Sequence, residues 1–285
     1  MSQLRLLLLI LLLPLLVSCL HKPILHLGET AIRDRQVWSG EVLIDGVVVV
    51  KKEGALTILP GTTIRFVPRD DDGDGIGDSE LLIEGEIIAR GTAESPILLT
   101  SAAKEPAPGD WKYLYLDFAR RGEIDYVISE YAYSGIQIHF CQATVYNSVF
   151  RYNIDGVRFS TVNLEVVGNH IHDNRHGLRY EERRSKAVIH HNVITDNDIG
   201  IFPVTRCDGG AVIEQNNITG SRRYAVKLGL EQHDDIPLQR NWWGNADPEV
   251  IGEQLFDHRF DPTLGRVDIS NPLTTPVKIA HRPIF

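Results

Sequence analysis

The stretch NHIHDNRHGLRY, residues 169–180, recurs along the chain in altered form and decides the fold. Related segments begin 22 to 25 residues apart: DYVISEYAYSGIQI at Asp125, NSVFRYNIDGVRF at Asn147, NVITDNDIGIF at Asn192, NNITGSRRYAVKL at Asn216 and NWWGN at Asn241. A regular period in this range indicates a repeat architecture, in which each repeat forms one turn of a solenoid and stacks on the next.

The repeats share two more features at similar offsets. Two positions after each start stands an apolar residue: Val127, Val149, Ile171, Ile194, Ile218 and Trp243. Eight to ten positions after the start stands a small one: Gly135, Gly156, Gly177, Gly200 and Ala225. Leucine-rich repeats would need several leucines at fixed spacing and a helical segment, which these repeats lack. Short strands joined by tight turns fit better.

The asparagine that begins most repeats is interpreted as an inward side chain at a recurrent turn. A buried amide is tolerated when it is hydrogen-bonded, and equivalent asparagines of neighbouring coils supply that partner by stacking. The predicted ladder is Asn147, Asn169, Asn192, Asn216 and Asn241.

The run NWWGNADPEVI, residues 241–251, contains an N-x-W-G element and resembles the closing segment of bacterial right-handed parallel β-helix (pectin-lyase-like) surface lipoproteins. PGT at 60–62 and GTAESPI at 91–97 resemble their opening coils. The resemblance implies an all-β fold, a single-stranded right-handed parallel β-helix solenoid of about nine coils. Asp247 and Pro248 predict a short C-terminal capping helix.

The N-terminus predicts export and anchoring. The apolar run 6–16 is too short for a good membrane span and reads as the core of a signal peptide. LVSC, residues 16–19, resembles the bacterial lipobox, in which Cys19 is lipidated, although an ordinary secretory signal is the alternative. We expect a signal peptide over 1–18, a tether over 19–37, the β-helix over 38–243, a C-terminal cap over 244–273 and a tail over 274–285.

Charge and anchor together limit the partners. The chain carries 29 Lys and Arg against 38 Asp and Glu, a net charge of −9 without any basic block, which argues against nucleic acid. We expect a monomer in the bacterial cell envelope, held on the outer membrane or cell surface by its lipid. A polysaccharide or another envelope protein is the expected partner.

The sharpest site motif is RDDDGDGIGDSE, residues 69–80. Its spacing D-x-D-x-D-G-x-x-D is that of calcium loops, and it predicts a structural calcium ion held by Asp70, Asp72, Asp74, Asp78 and the Ile76 carbonyl. The EF-hand version requires glutamate at position twelve, which here is Leu81. The alternatives are a solvated acidic turn, or an insertion that blocks edge pairing.

A row of side chains follows the small residues at the second position. By strand alternation this row faces solvent, and its basic and aromatic members suit an extended anionic or neutral polysaccharide. The members are Gln137, then the predicted glycan-binding residues Arg158, Arg179, Phe202 and Lys227. The alternative is a charged face that keeps the sheet soluble.

We predict no catalytic residues, because the resemblance to polysaccharide lyases and hydrolases does not extend to their aspartate clusters. Asp173 and Asp196 stack in one column as a polar turn row, and His170 and His172 are interpreted as surface residues. The predicted function is a non-catalytic, envelope-anchored module that binds glycans or another surface component. The alternatives are a pectin-lyase-like polysaccharide lyase or hydrolase, and a periplasmic accessory protein of the NosD type.

Overall fold

A computed structural model describes residues 23–181 and 184–279. The signal peptide 1–18 and the predicted lipidation residue Cys19 lie outside the described residues, as does the tail beyond residue 279. Within the described part, no helix is long and apolar enough to cross a membrane.

The strands follow one another in groups of three, each group forming one coil. The first four coils contain β1 (Leu25–Leu27), β2 (Thr30–Ile32), β3 (Arg35–Trp38), β4 (Glu41–Ile44), β5 (Val47–Val50), β6 (Ala55–Ile58), β7 (Thr63–Phe66), β8 (Glu80–Ile83), β9 (Glu86–Arg90), β10 (Ile97–Ser101), β11 (Trp111–Asp117) and β12 (Arg121–Asp125). The next four contain β13 (Val127–Glu130), β14 (Ala132–His139), β15 (Gln142–Tyr146), β16 (Val149–Arg151), β17 (Asp155–Ser160), β18 (Asn163–Val167), β19 (His170–His172), β20 (His176–Glu181), β21 (Lys186–His190), β22 (Val193–Thr195), β23 (Ile199–Pro203) and β24 (Val212–Ile213). The chain closes with β25 (Asn217–Thr219), β26 (Tyr224–Lys227), β27 (Ile236–Pro237), α1 (Pro248–Gly252), β28 (Leu255–Phe256) and β29 (Val267–Asp268).

Every third strand lies in the same sheet, so the coils stack into a three-sided solenoid. Sheet A contains nine strands, which are every third strand from β1 to β25. Sheet B contains ten strands, which are every third strand from β2 to β26 together with β28. Sheet C contains eight strands, which are every third strand from β3 to β24. Neighbouring strands in each sheet are parallel. The predicted all-β parallel β-helix and its coil number are confirmed.

Strand alternation places one set of apolar side chains inside each coil. In β5, Val48 and Val50 are fully buried, whereas Val47 and Val49 are partly exposed. The parallel register then stacks each inward side chain on an inward side chain of the next coil, as Val48 does with Leu81. Each buried aliphatic side chain stabilises the fold by about 1.5–3 kcal/mol relative to exposure. The solenoid therefore has one continuous core along its axis.

A ladder of buried asparagines runs along the turn that leads into sheet A. The Asn169 N–H donates to Asn192 Oδ1 at 2.9 Å, and Asn192 and Asn216 donate in the same way to Asn216 and Asn241 at 3.0 Å. All four residues are fully buried. Four of the five predicted ladder residues therefore lie in one hydrogen-bonded row.

Asn147 does not belong to this ladder. The Ser148 N–H donates to Asn169 Oδ1 at 2.9 Å, so Ser148 takes the ladder position in that coil. Asn147 lies in the left-handed region at φ +47°, and its amide donates to Asp125 Oδ1. The sequence alignment of the repeat at Asn147 is therefore one residue out of register, because it was based on residue identity alone.

A second ladder lies at the turn between sheets A and B. The Asn153 N–H donates to Asn174 Oδ1, and the Asn174 N–H to Asn197 Oδ1, both at 3.0 Å. All three side chains are buried. The sequence predicted a polar turn row of Asp173 and Asp196 here, and the ladder formed by the asparagine that follows each was not predicted.

The small-residue column lets successive coils approach closely where sheet B begins. A Cβ placed on Gly177 would lie 2.6 Å from the Gly200 carbonyl oxygen and 2.9 Å from Asn197 Nδ2. Real Cβ atoms do not approach backbone so closely, so a larger residue there would push neighbouring coils apart.

Both ends of the solenoid differ from the simple expectation. The first coil, β1 to β3, occupies residues 25–38 and so covers most of the stretch 19–37 that the sequence predicts as a tether. At the other end, the Asp247 side chain caps α1 by accepting from the Glu249 N–H at 2.9 Å, as predicted. The predicted tail is held at Val277, whose backbone N–H and carbonyl both hydrogen-bond to the Asn217 side-chain amide. A side-chain amide has one donor group and one acceptor group, so it can pair with a backbone as a neighbouring strand does.

Candidate functional site

The outer face of sheet B carries one row of large side chains in register from coil to coil. Tyr115 pairs with Gln137, Gln137 with Arg158, Arg158 with Arg179 and Arg179 with Phe202. Lys227 follows Val226, which pairs with Ile201, and Lys227 itself pairs with Phe256. The structure therefore brings all four predicted glycan-binding residues into one line, spaced by about 4.8 Å per coil. We call this line the sheet B row.

The sheet B row is less exposed than strand alternation predicted. Gln137 is only 6% exposed, and the side chains of Arg158 and Arg179 are 19% and 20% exposed. The side chains lie low on the sheet because neighbouring coils offer them ion-pair partners. The predicted solvent-facing row is thus a packed polar surface.

A buried ionic cluster lies beside the middle of the row. Asp155 has no exposed side-chain surface, and its Oδ1 lies 2.7 Å from His176 Nδ1 in the next coil. Its Oδ2 accepts from Arg179 Nη1 at 3.1 Å. Burial opposes the charged form of Arg179, but the charge of Asp155 and the Tyr133 hydroxyl raise the pKa of Arg179 above its ordinary value.

On the other side of the row, a second set of polar groups lies between neighbouring coils. Arg158 Nη2 lies 3.5 Å from Glu181 Oε1. The Tyr115 hydroxyl and His139 Nδ1 share a hydrogen bond of 3.1 Å. Burial, reinforced by the charge of Asp117, raises the pKa of Tyr115 to about 12. Burial and the nearby Arg158 lower the pKa of His139, so both groups are neutral near pH 7.

Counting partners among the described residues, five buried polar atoms on or beside this row have no hydrogen-bond partner. They are Ser134 Oγ, Gln137 Oε1, His139 Nε2, Arg158 Nε and Arg179 Nε. A buried polar atom without a partner costs roughly 1–3 kcal/mol, and such atoms are rare in folded proteins. Their concentration on one face makes the outer side of sheet B the candidate site.

Aromatic rings line the same face toward the C-terminal end. The His176 and Phe202 rings stack with centroids 4.8 Å apart, and the Arg179 guanidinium lies 5.8 Å from the Phe202 centroid. Lys227 Nζ lies 5.3 Å from the Phe256 centroid. Rings next to hydrogen-bonding groups are the combination that recognises sugar rings, which have apolar C–H faces and polar edges.

The sequence analysis missed Asp155 and His176. Both residues immediately precede the small residue of their coil, Gly156 or Gly177, so the repeat alignment already places them in one column. The histidines singled out from this stretch of sequence were His170 and His172, which lie on sheet A. His176 is close to these two histidines in sequence, but in the structure it contacts Asp155 of the neighbouring coil.

The acidic loop brings together three of its predicted ligands. The carboxylates of Asp70, Asp72 and Asp78 offer oxygen atoms within 4.8 Å of one another. Asp74 lies outside this group, and its Oδ1 accepts from the Ile76 N–H at 2.8 Å. Lys112 Nζ lies 2.6 Å from Asp78 Oδ1, and this hydrogen bond lowers the pKa of Asp78. Among the described residues, this is the one group of three potential metal ligands.

Comparison with known proteins supports the fold along most of the chain. A family model described as a right handed beta helix region matches residues 112–241. A second model, described as a pectate-lyase like beta helix domain, matches residues 32–117 and begins within the first coil. No curated protein and no solved structure matched the chain.

Proposed function

We propose that this chain, which belongs to the right-handed parallel β-helix proteins, uses the outer face of sheet B to bind a polysaccharide without cleaving it. The five unpartnered polar atoms around the sheet B row are the observation that carries this proposal. A hydroxyl-rich chain that lies along the axis would supply partners for them from successive sugar units as the side chains of the row shift outward on binding.

The geometry of the row suits an extended polymer better than a small molecule. Equivalent side chains repeat at about one coil spacing, so a ligand with its own short repeat can make similar contacts several times. Phe202 offers a partly exposed stacking surface, and Arg158 and Arg179 offer the donors of their partly exposed guanidinium groups. Many modest contacts along one line then add up to useful affinity.

Affinity gel electrophoresis against a panel of soluble polysaccharides tests the proposal. The protein should be retarded by at least one polymer, and the polymer recovered afterwards should show no new reducing ends and no unsaturated uronate absorbance. Absence of retardation by every polymer would overturn the binding role. Product formation would overturn the non-catalytic part.

A second candidate, a carbohydrate-active enzyme, is favoured by the contact between His176 and Asp155. A carboxylate that bonds one ring nitrogen fixes the tautomer and orientation of a histidine, which prepares the other nitrogen for proton transfer. In that case product should form with the parent protein and fall by about 100-fold or more in His176→Gln. Equal product formation by both proteins would exclude His176 as the proton-transfer group.

We also propose that the protein is anchored in the bacterial envelope through Cys19, on the basis of the signal-peptide pattern and LVSC. Cys19→Ser should release the protein from the membrane fraction, and mass spectrometry should find the lipid on the parent N-terminus. A parent protein that is cleaved after export but carries no lipid would contradict the anchor.

The acidic loop is proposed to hold a structural calcium ion, supported by the convergence of Asp70, Asp72 and Asp78. These carboxylates already accept hydrogen bonds from the loop backbone, for example Asp70 from the Gly73 and Gly75 N–H groups at 2.7 and 2.9 Å. A cation would bind these carboxylates together in a loop that is already hydrogen-bonded, so its proposed role is to stabilise the loop.

A further inference from the structure

The charges on the outer face of sheet B cancel in pairs. Arg179 lies 3.1 Å from Asp155, and Arg158 lies 3.5 Å from Glu181. Each guanidinium of the sheet B row therefore has a carboxylate of its own, contributed by a neighbouring coil.

The other charged residues of this face do not give it a net positive charge. Asp117 pairs in register with His139, two residues beyond Tyr115 and Gln137 and on the same side of the sheet as Glu181. The ammonium of Lys227 lies over the Phe256 ring, at the far end of the row. Among the described residues of sheet B, four cations, those of Lys112, Arg158, Arg179 and Lys227, thus share the face with four carboxylates, those of Glu80, Asp117, Asp155 and Glu181.

From this charge balance we infer that the ligand is a neutral polysaccharide, and that the face discriminates against carboxylated or sulfated polymers. This inference rests on the proposed binding function and specifies its ligand class. A polyanion would have to displace Asp155 or Glu181 from its guanidinium, or lie beside them with like charges in contact. The net charge of −9 adds a long-range repulsion of the same sign.

The hydrogen-bonding groups that remain fit hydroxyl groups. Arg158 Nε and Arg179 Nε are donors, and Gln137 Oε1 is an acceptor. A sugar hydroxyl both donates and accepts, so neighbouring hydroxyls of one unit can pair with a donor and an acceptor at once. A carboxylate or sulfate accepts only, and would leave Gln137 Oε1 without a partner.

The burial of Asp155 reinforces this conclusion. Its side chain is fully buried, and both of its oxygens are already bonded, to His176 and Arg179. Freeing Arg179 for an anionic ligand would leave this carboxylate with one partner in a site that excludes water. Removal of one partner from a buried ion pair is strongly unfavourable.

Matched pairs of polymers test the inference. Hydroxyethylcellulose is compared with carboxymethylcellulose, and dextran with dextran sulfate, by affinity gel electrophoresis at about 0.05 and about 0.5 M NaCl, a range that strongly changes screening. The parent protein should be retarded by a neutral member more than by its charged counterpart. Its affinity for the neutral polymer should change by less than about twofold with salt.

A variant that frees one guanidinium makes the test sharper. Glu181→Gln leaves Arg158 without its carboxylate, so this variant should gain binding to the charged polymer at low salt and lose it at high salt. Glu214→Gln is the matched control, because Glu214 pairs with Arg240 at 3.7 Å away from sheet B and its substitution changes the net charge equally. Only the Glu181 variant should gain affinity.

The outcomes separate this inference from the function on which it rests. If the parent protein binds the charged members more tightly and salt abolishes that binding, the neutral-ligand inference is wrong while the polysaccharide-binding function stands. Equal gains by the two variants would also contradict the inference, since net charge alone would then explain the binding. If neither pair binds and the wider panel is negative, both fail.

Discussion

Asp155 Oδ1 lies 2.7 Å from His176 Nδ1, across one coil spacing, and the Asp155 side chain has no exposed surface. With Arg179 on its second oxygen, this carboxylate joins two coils through two charge-assisted contacts. Asp155 therefore contributes to the stability of the solenoid as well as to the surface of sheet B.

Asp155→Asn should lower the free energy of unfolding by about 3 kcal/mol, because it leaves Arg179 largely covered and without its counter-charge. The matched control is Asp198→Asn, since Asp198 is 42% exposed and lies 3.4 Å from Arg222. The control should differ from the parent by less than about 0.5 kcal/mol. Urea unfolding of the three proteins provides the comparison, and equal losses in both variants would show that Asp155 is not a special position.

The asparagine ladder gives a second stability prediction. Asn192→Ala removes the acceptor of the Asn169 N–H and the donor to the Val166 and His190 carbonyls, which are left inside the solenoid. We expect a loss of about 2–3 kcal/mol in the free energy of unfolding.

Asn147→Gly is the matched control for the ladder. Glycine accepts φ +47° without strain, and Gly168 occupies the equivalent turn one coil later. This variant should lose less than about 1 kcal/mol, since Asn147 is partly exposed and outside the ladder. A loss at Asn147 as large as that at Asn192 would contradict the register.

The two asparagine ladders show which parts of this fold could be predicted from the sequence. The period of 22 to 25 residues and the buried apolar positions were enough to predict a parallel β-helix. The asparagine at 147 misled the alignment by one position, because a turn can hold asparagine either inward or in the left-handed region. Only the hydrogen bonds of Ser148 and Asn169 distinguish the two.

The candidate site was predicted in part for a related reason. Strand alternation placed Arg158, Arg179 and Phe202 in one outward row. It did not reveal that Asp155 and Glu181 neutralise the guanidinium groups, because this depends on how side chains of neighbouring coils pack. Periodicity predicts which positions share a face, whereas charge compensation requires the side-chain geometry.

Calcium should raise the melting temperature of the parent protein, and Asp72→Ala should remove that rise. Asp71→Ala is the control in the same loop, because Asp71 pairs with Arg69 and is not part of the group formed by Asp70, Asp72 and Asp78. Differential scanning calorimetry with calcium and with chelator measures the effect. Absence of a calcium effect on the parent would disprove the site.

Lys112→Met should strengthen calcium binding about two- to five-fold, or about 0.4–1 kcal/mol, because the Lys112 ammonium occupies Asp78 Oδ1 in a partly buried ion pair. Calorimetric titration of the parent and the variant tests this separately. A weaker affinity in the variant would show that Lys112 supports the loop more than it competes with the ion.

Acid sensitivity provides a prediction at sheet A. Burial, with a smaller contribution from His172, lowers the pKa of His170 from 6.5 to about 4. Between these two values the unfolded chain binds a proton that the folded chain does not, so the free energy of unfolding falls as the pH is lowered through this window. His170→Gln should remove this contribution and flatten the pH dependence between about 6.5 and 4.

His233→Gln is the control for this measurement, because its imidazole is largely exposed and its pKa is raised by a hydrogen bond with the Thr263 backbone. Its contribution has the opposite sign, being present at low pH and lost as the pH rises. Denaturant unfolding at several pH values compares the three proteins. A pH dependence of His170→Gln identical to that of the parent would contradict the assigned shift.

The central claim is that polysaccharide binds to the outer face of sheet B, and affinity electrophoresis of two matched double variants tests it most directly. Gln137→Ala with Phe202→Ala alters the sheet B row, whereas Val188→Ala with Val212→Ala alters exposed, paired residues of sheet C. With the polymer that retards the parent, the sheet B variant should lose at least about tenfold in affinity, and the sheet C variant should match the parent. Equal retardation of all three folded proteins, or a loss confined to the sheet C variant, would contradict the account.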